Sequence, residues 1–397
     1  MKKAAGVVPF FLAVTLALTA ALGVAPGPAL VTLVRVPDGG IQPDVLVDGH
    51  GVLHLLYFSG EPRNGNLFYV RSTDSGVTFT APVRVNSQDG SAIATGTIRG
   101  GQLALGREGR VHVGWNGSDS ARPAGLINPT LDQPSAPYLY SRSNPDGTAF
   151  EPQRNLMQRS YGLDGGGSIA ADARGRVYAV WQALGVGAPS GEDHRQVWVA
   201  RSTDDGATFG AESPAWAVPT GACGCCGVRA RTDFNGRLFL LYRSATATVH
   251  RDVYLLASGN GGASFTGSRV QDWELKTCPM TSASLAVSSA AIVGAWESAD
   301  QVYFGRVDPD RAIIASPIAA PGEAGTRKHP RVATGGNGQT LLVWTEGTAW
   351  ARGGSLAWQV FDAAGHAIGP RGAAPGVPVW SFADAVARPA GGFVIVY

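Results

Sequence analysis

Seven short hydrophobic strands in this chain end on an aromatic residue: LHLLY at Tyr57, VHVGW at Trp115, VYAVW at Trp181, LFLLY at Tyr242, IVGAW at Trp296, TLLVW at Trp344 and FVIVY at Tyr397. Most follow a Gly-containing turn and an earlier alternating stretch. Repeats of this kind cannot bury their faces one at a time, so the pattern predicts a ring of stacked β-sheets. A closed ring is a single unit, which overrides the two-domain expectation that 397 residues would otherwise raise.

Each repeat contains two hairpins. The inner ones read PDVLVDGHGVLHLLY, GQLALGREGRVHVGW, GSIAADARGRVYAVW and HPRVATGGNGQTLLVW, with alternating apolar residues on either side of an Asp/Gly/Asn turn. The outer ones read LFYVRSTDSGVTF, YLYSRSNPDGTAF, VWVARSTDDGATF and VYLLASGNGGASF; two later copies are degenerate. The predicted fold is an all-β propeller of four-stranded antiparallel blades. Counting inner hairpins gives seven blades, with six as the alternative. The last hairpin, near Ala383–Tyr397, lacks an outer partner, so the N-terminal segment Val31–Val36 is expected to complete it and close the ring.

The outer turns carry S-x-D-x-G-x-x-F at Ser72/Asp74/Gly76/Phe79 and at Ser202/Asp204/Gly206/Phe209. A third copy, Ser143 to Phe150, has Pro145 in the expected Asp place and Asp146 displaced; a fourth has Asn260 for Asp. Ser and Asp side chains suit backbone N–H groups in a turn, and Gly suits the positive φ, so Asp74 and Asp204 read as structural. The motif resembles the Asp-box, or BNR repeat, of the sialidase superfamily, including secreted bacterial sialidase-like proteins, over nearly the whole chain after its first segment.

That resemblance implies a secreted carbohydrate-acting propeller, with sialidase-type exo-glycosidase activity the leading expectation. It implies a Tyr nucleophile, an activating Glu, an Asp acid/base and three Arg that grip a carboxylate. Strand order puts the Asp-boxes and inner turns on one face, called the bottom, and the loops before each inner hairpin on the other. The top offers Tyr242 or Tyr161, Glu297 or Glu346, and Asp164 or Asp119; the leading catalytic set is Tyr242, Glu297 and Asp164. Arg99, Arg243 and Arg327 lead the arginines, ahead of Arg195, Arg251 and Arg352, and Trp350 and Trp380 are the stacking candidates. The chain departs from the family at its first inner strand, where Ile41-Gln42-Pro43 replaces an Arg-Ile-Pro motif. The alternative function is a non-catalytic glycan- or protein-binding propeller.

Cys223, Cys225 and Cys226 lie before one inner strand and Cys278 before the next, which places four sulfurs at the channel mouth. In an exported chain two disulfides are expected, with connectivity open. The other reading is a soft-metal or redox site completed by Met280 and His329, suited to copper or zinc; otherwise no cofactor is expected. Residues 1–29 read as a signal peptide cleaved between about 20 and 29, leaving 30–397 as one secreted or periplasmic domain. Charged residues are 16% of the chain and net charge is +2, which argues against a nucleic-acid partner. No later segment is apolar enough for a membrane span, and a monomer acting on a carbohydrate or glycoconjugate is expected.

Overall fold

The computed structural model describes residues 1–2, 30–247 and 249–397; the expected signal peptide lies outside them, apart from its first two residues. It is a seven-bladed propeller built from strands and short 3-10 turns. The inner strands of blades 1 to 7 are Ile41–Val47, Gln102–Leu105, Ser168–Ala171, Arg229–Thr232, Ser284–Val287, Arg327–Thr334 and Asp384–Ala387. Each pairs antiparallel with the strand that follows it, and six blades extend outward through a third and a fourth strand.

Blade 7 differs. Its third strand is Val31–Val34, which pairs with Phe393–Val396 in parallel, and among the described residues it has no fourth. Chain direction explains the parallel pairing. A third strand elsewhere runs toward the bottom, but this one must finish at the top, where the short segment 35–40 leads into the inner strand of blade 1. The ring is thus fastened by chain from both ends, and no inner edge is left open.

All seven strand-end aromatics are buried, from Trp181 and Trp344 at 0% exposure to Tyr397 at 8%. Trp181 donates to Ser160 Oγ at 3.0 Å and Trp344 to Glu346 Oε1 at 2.8 Å. The shared ending is therefore a packing device rather than a sugar platform.

Opposite the residue before each aromatic lies one residue of the inner strand. These seven register-equivalent positions are Asp44, Gln102, Ser168, Arg229, Ser284, Arg331 and Asp384. All are polar, and four accept a backbone N–H from the next blade around the ring. Asp44 Oδ2 accepts from Leu103 N at 2.7 Å, Ser168 Oγ from Ala230 N at 2.9 Å, Ser284 Oγ from Val332 N at 3.1 Å and Asp384 Oδ2 from Val45 N at 2.9 Å. Unpaired edge amides around the channel are thereby satisfied, and each bond fixes the register of one blade against its neighbour.

At the bottom, the two S-x-D-x-G-x-x-F segments are closed turns. Asp74 accepts from Thr78 N at 2.9 Å and Thr78 Oγ1 at 2.6 Å, while Gly76 N donates to Ser72 Oγ at 2.8 Å. Asp204 repeats this with Thr208 at 2.9 and 2.6 Å. These bonds hold both carboxyls down at about 2, with the Thr side-chain bond the largest cause. In the third copy the acceptor is Asn144, bonded to Thr148 N at 2.9 Å. Asp146 therefore does not replace the missing Asp; the turn shifts by one residue and a carboxamide takes the place.

Candidate functional site

Three top-face segments pack together over the channel. In the run Asp164-Gly165-Gly166-Gly167, a Cβ on Gly165 would lie 2.0 Å from Cys226 O, and one on Gly166 would lie 1.8 Å from Ile98 O. The glycines are required because neighbouring backbones occupy the space of a side chain. Gln42 braces the same region, donating through Nε2 to Ala94 O at 2.6 Å and to Trp380 O at 2.7 Å. The Gln in Ile41-Gln42-Pro43 is thus a structural strut that joins the top loops.

This packing gathers four of the residues singled out from the sequence. Arg99 forms an ion pair with Asp164 Oδ1, donates to Asp164 O at 2.6 Å and to Thr95 O at 2.7 Å. Gly96 lies between Arg99 and Trp350: a Cβ there would be 2.5 Å from Arg99 Nη1 and 3.2 Å from the Trp350 ring. Trp350 is 58% exposed, and the Asp164 side chain is 45% exposed. Trp380 is half-buried and linked to Ala94 through Gln42, and its buried indole Nε1 has no partner among the described residues. An open indole face next to an Arg–carboxylate pair offers an apolar platform with donors and acceptors at its rim.

Tyr242, Glu297, Arg243 and Arg327 are instead packed into the blades, while Asp119 and Arg352 are exposed. Tyr242 is buried, its hydroxyl 2.7 Å from Thr220 Oγ1 and its ring stacked on Tyr254; burial pushes its phenol well above the usual range. Glu297 is also buried, its Oε1 3.8 Å from Lys328 Nζ and its carboxyl beside Thr281. Burial raises its carboxyl, opposed by Lys328 and Arg243. No hydrogen bond joins Tyr242 to Glu297. Arg243 donates to Arg251 O at 2.6 Å and to Glu297 O, and lies over the Trp273 ring. Arg327 is held by Gln301 Oε1 at 2.9 Å, Ala320 O at 3.2 Å and Pro321 O at 3.0 Å. Arg99, Arg243 and Arg327 therefore each serve a different local network.

The cysteines do meet. Cys225 and Cys278 form a disulfide between adjacent blades, and Cys223 Sγ lies 3.0 Å from Cys226 Sγ and 3.6 Å from Cys225 Sγ. Cys223 and Cys226 are fully buried. The disulfide withdraws two of the four thiolates from the soft-metal set. His329 is buried against Phe382, its Nδ1 unpartnered among the described residues, and burial holds its pKa well below the ordinary value. Met280 is half-buried in the segment that carries Cys278.

Charged residues of the polar ring form a second constellation, absent from the candidates read from sequence. Both Nη atoms of Arg229 lie 3.0 Å from Asp44 Oδ1, and Arg331 Nε lies 3.5 Å from Asp384 Oδ1. All four are at least 96% buried. Aligning the seven inner hairpins on their aromatics would have exposed charge at a position that otherwise holds Gln or Ser.

No protein-family model matches the chain, and no curated protein matches it. Among the described residues no helix is long and apolar enough to cross a membrane. The fold does resemble solved structures. A Penicillium chrysogenum α-L-arabinanase, solved with arabinobiose, superposes with TM-score 0.52 at 14% identity, over 83% of this chain and 95% of that one. A Dyadobacter fermentans protein of unknown function gives TM-score 0.50 at 14% identity, over 77% and 90%. A Hadza microbial sialidase gives TM-score 0.47 at 14% identity over 77% of this chain, which spans 63% of the sialidase. The first two likenesses establish a shared fold.

Proposed function

We propose that this protein is a carbohydrate-recognising propeller that holds a saccharide at the top mouth of its channel. The observation that carries the reading is the exposed Trp350 indole set against Gly96 and Arg99, with Asp164 completing the edge. A sugar ring presents C–H groups to an aromatic face while its equatorial hydroxyls reach guanidinium donors and carboxylate acceptors. The disulfide Cys225–Cys278 supports a protein that works outside the reducing cytoplasm, secreted or periplasmic.

A second reading is glycoside hydrolysis at the same mouth, in an exo-acting, sialidase-like manner. Its support is the solvent-open Asp164 carboxylate and the likeness to an arabinanase crystallised with a disaccharide. Recognition is favoured because the Tyr242 hydroxyl is committed to Thr220 and the Glu297 carboxylate is enclosed, so neither meets the other. The deciding test screens the purified protein on a glycan array and against sialosides, arabinosides and other aryl glycosides. Saturable glycan binding that Trp350→Ala abolishes supports the site. Turnover lost in Asp164→Asn moves the assignment to hydrolase, and neither binding nor turnover defeats both readings.

A further inference from the structure

One step below the polar ring, the register-equivalent positions are Leu46, Ala104, Ala170, Arg231, Ala286, Ala333 and Val386. Six are apolar and one is Arg. Among the described residues Arg231 makes a single hydrogen bond, from Nε to Leu285 O at 3.3 Å. Its accessible surface faces the inside of the channel, where it lines a cavity of about 300 Å³ together with Arg229, Asp384 and the surrounding Ala and Val side chains.

Charge in this space is unbalanced. Arg229, Arg231 and Arg331 face Asp44 and Asp384, three cations against two anions. Asp44 is committed to Arg229 and Leu103 N, and Asp384 to Arg331 and Val45 N. The surplus positive charge therefore belongs to Arg231. Burial and then the neighbouring Arg229 push its pKa down, outweighing Asp44 and Asp384, which raise it from carboxylates already bonded to other groups. Phe234, 76% exposed, stands at the lower end of the same cavity, in the turn after the Arg231 strand.

We infer that this lower cavity is a second ligand site, on the Asp-box side of the channel, for a small organic anion whose carboxylate pairs with Arg231. Its apolar body lies against Ala104, Ala170, Ala286 and Val386, with Phe234 at the entrance. The planar guanidinium matches a carboxylate in two parallel bonds, and the apolar walls leave it the strongest available partner. The site is independent of the top mouth and opens on the opposite face.

Propionate titrated calorimetrically into the full chain tests it, with a 3-bromopropionate crystal soak locating the ligand by bromine anomalous signal. Expected are saturable one-to-one binding, bromine density inside the cavity, and about tenfold or greater weakening in Arg231→Met. Ala286→Leu keeps every charge while filling the cavity, so it must also weaken binding; this variant decides the matter if Arg231→Met does not fold. No saturable binding, binding indifferent to Ala286→Leu, or bromine found only elsewhere overturns the inference. Glycan binding at the top mouth is expected to survive both substitutions, which separates failure here from failure there.

Discussion

Arg229 of blade 4 reaches across the channel to Asp44 of blade 1, placing two terminal nitrogens 3.0 Å from one carboxylate oxygen. Asp44 meanwhile accepts the Leu103 amide of blade 2 through its other oxygen. One carboxylate thus ties three blades together. Asp44→Ala strands a buried guanidinium and a buried N–H at once, and should cost about 3–5 kcal/mol in urea unfolding. The double variant Asp44→Leu/Arg229→Met should cost clearly less than the sum of its parts. An Asp44→Ala protein of unchanged stability would show that the ring does not depend on this pair.

Cys223 and Cys226 lie close enough, and buried enough, to pair once the chain is oxidised. Protein prepared without reductant should show no free thiol after denaturation, and an intact mass about 4 Da below the fully reduced chain, as two disulfides require. Two titratable thiols would leave Cys225–Cys278 as the single bridge. Bound zinc or copper at stoichiometric levels would instead revive the soft-metal reading.

Three buried histidines make stability depend on pH. Burial is the largest cause lowering the pKa of His54, His112 and His329. Their folded pKa values lie below the unfolded value, so the unfolded chain binds protons first. Their stabilising contribution is complete above about pH 6.5 and is lost as pH falls toward the folded values. The urea midpoint should therefore drop between about pH 7.5 and about pH 5.5, and His329→Asn should flatten part of that slope. Asn is the chosen replacement because residue 329 has φ 51°. A midpoint that rises on acidification would contradict this assignment.

Much of the architecture was legible because it follows from local periodicity. The aromatic endings and turn residues gave the hairpins, and the strand left over at each end gave the closure. The parallel pairing of Val31–Val34 was not legible, since it follows from where the chain must next emerge. Arg99, Asp164 and Trp380, in loops before inner strands, and Trp350, in a loop after an inner hairpin, were legible as top-face residues because strand order puts all these loops on one face. Tyr242, Glu297, Arg243 and Arg327 lie near the same face, yet their side chains turn into the blades. Loop position reports the face of the molecule but not the orientation of a side chain. Asp44, Arg229, Arg331 and Asp384 were passed over because each looks unremarkable within its own strand; they stand out only when all seven repeats share one register.

Whether carbohydrate binds at the top mouth is decided by calorimetry of Trp350→Ala with the best array glycan. Because Trp350 is largely exposed, its removal should leave stability within about 0.5 kcal/mol. Glycan affinity should fall by about tenfold or more, with Trp181→Ala as the contrast that loses about 3–5 kcal/mol of stability. Undiminished glycan affinity in folded Trp350→Ala protein would contradict the assignment of this mouth as the binding site.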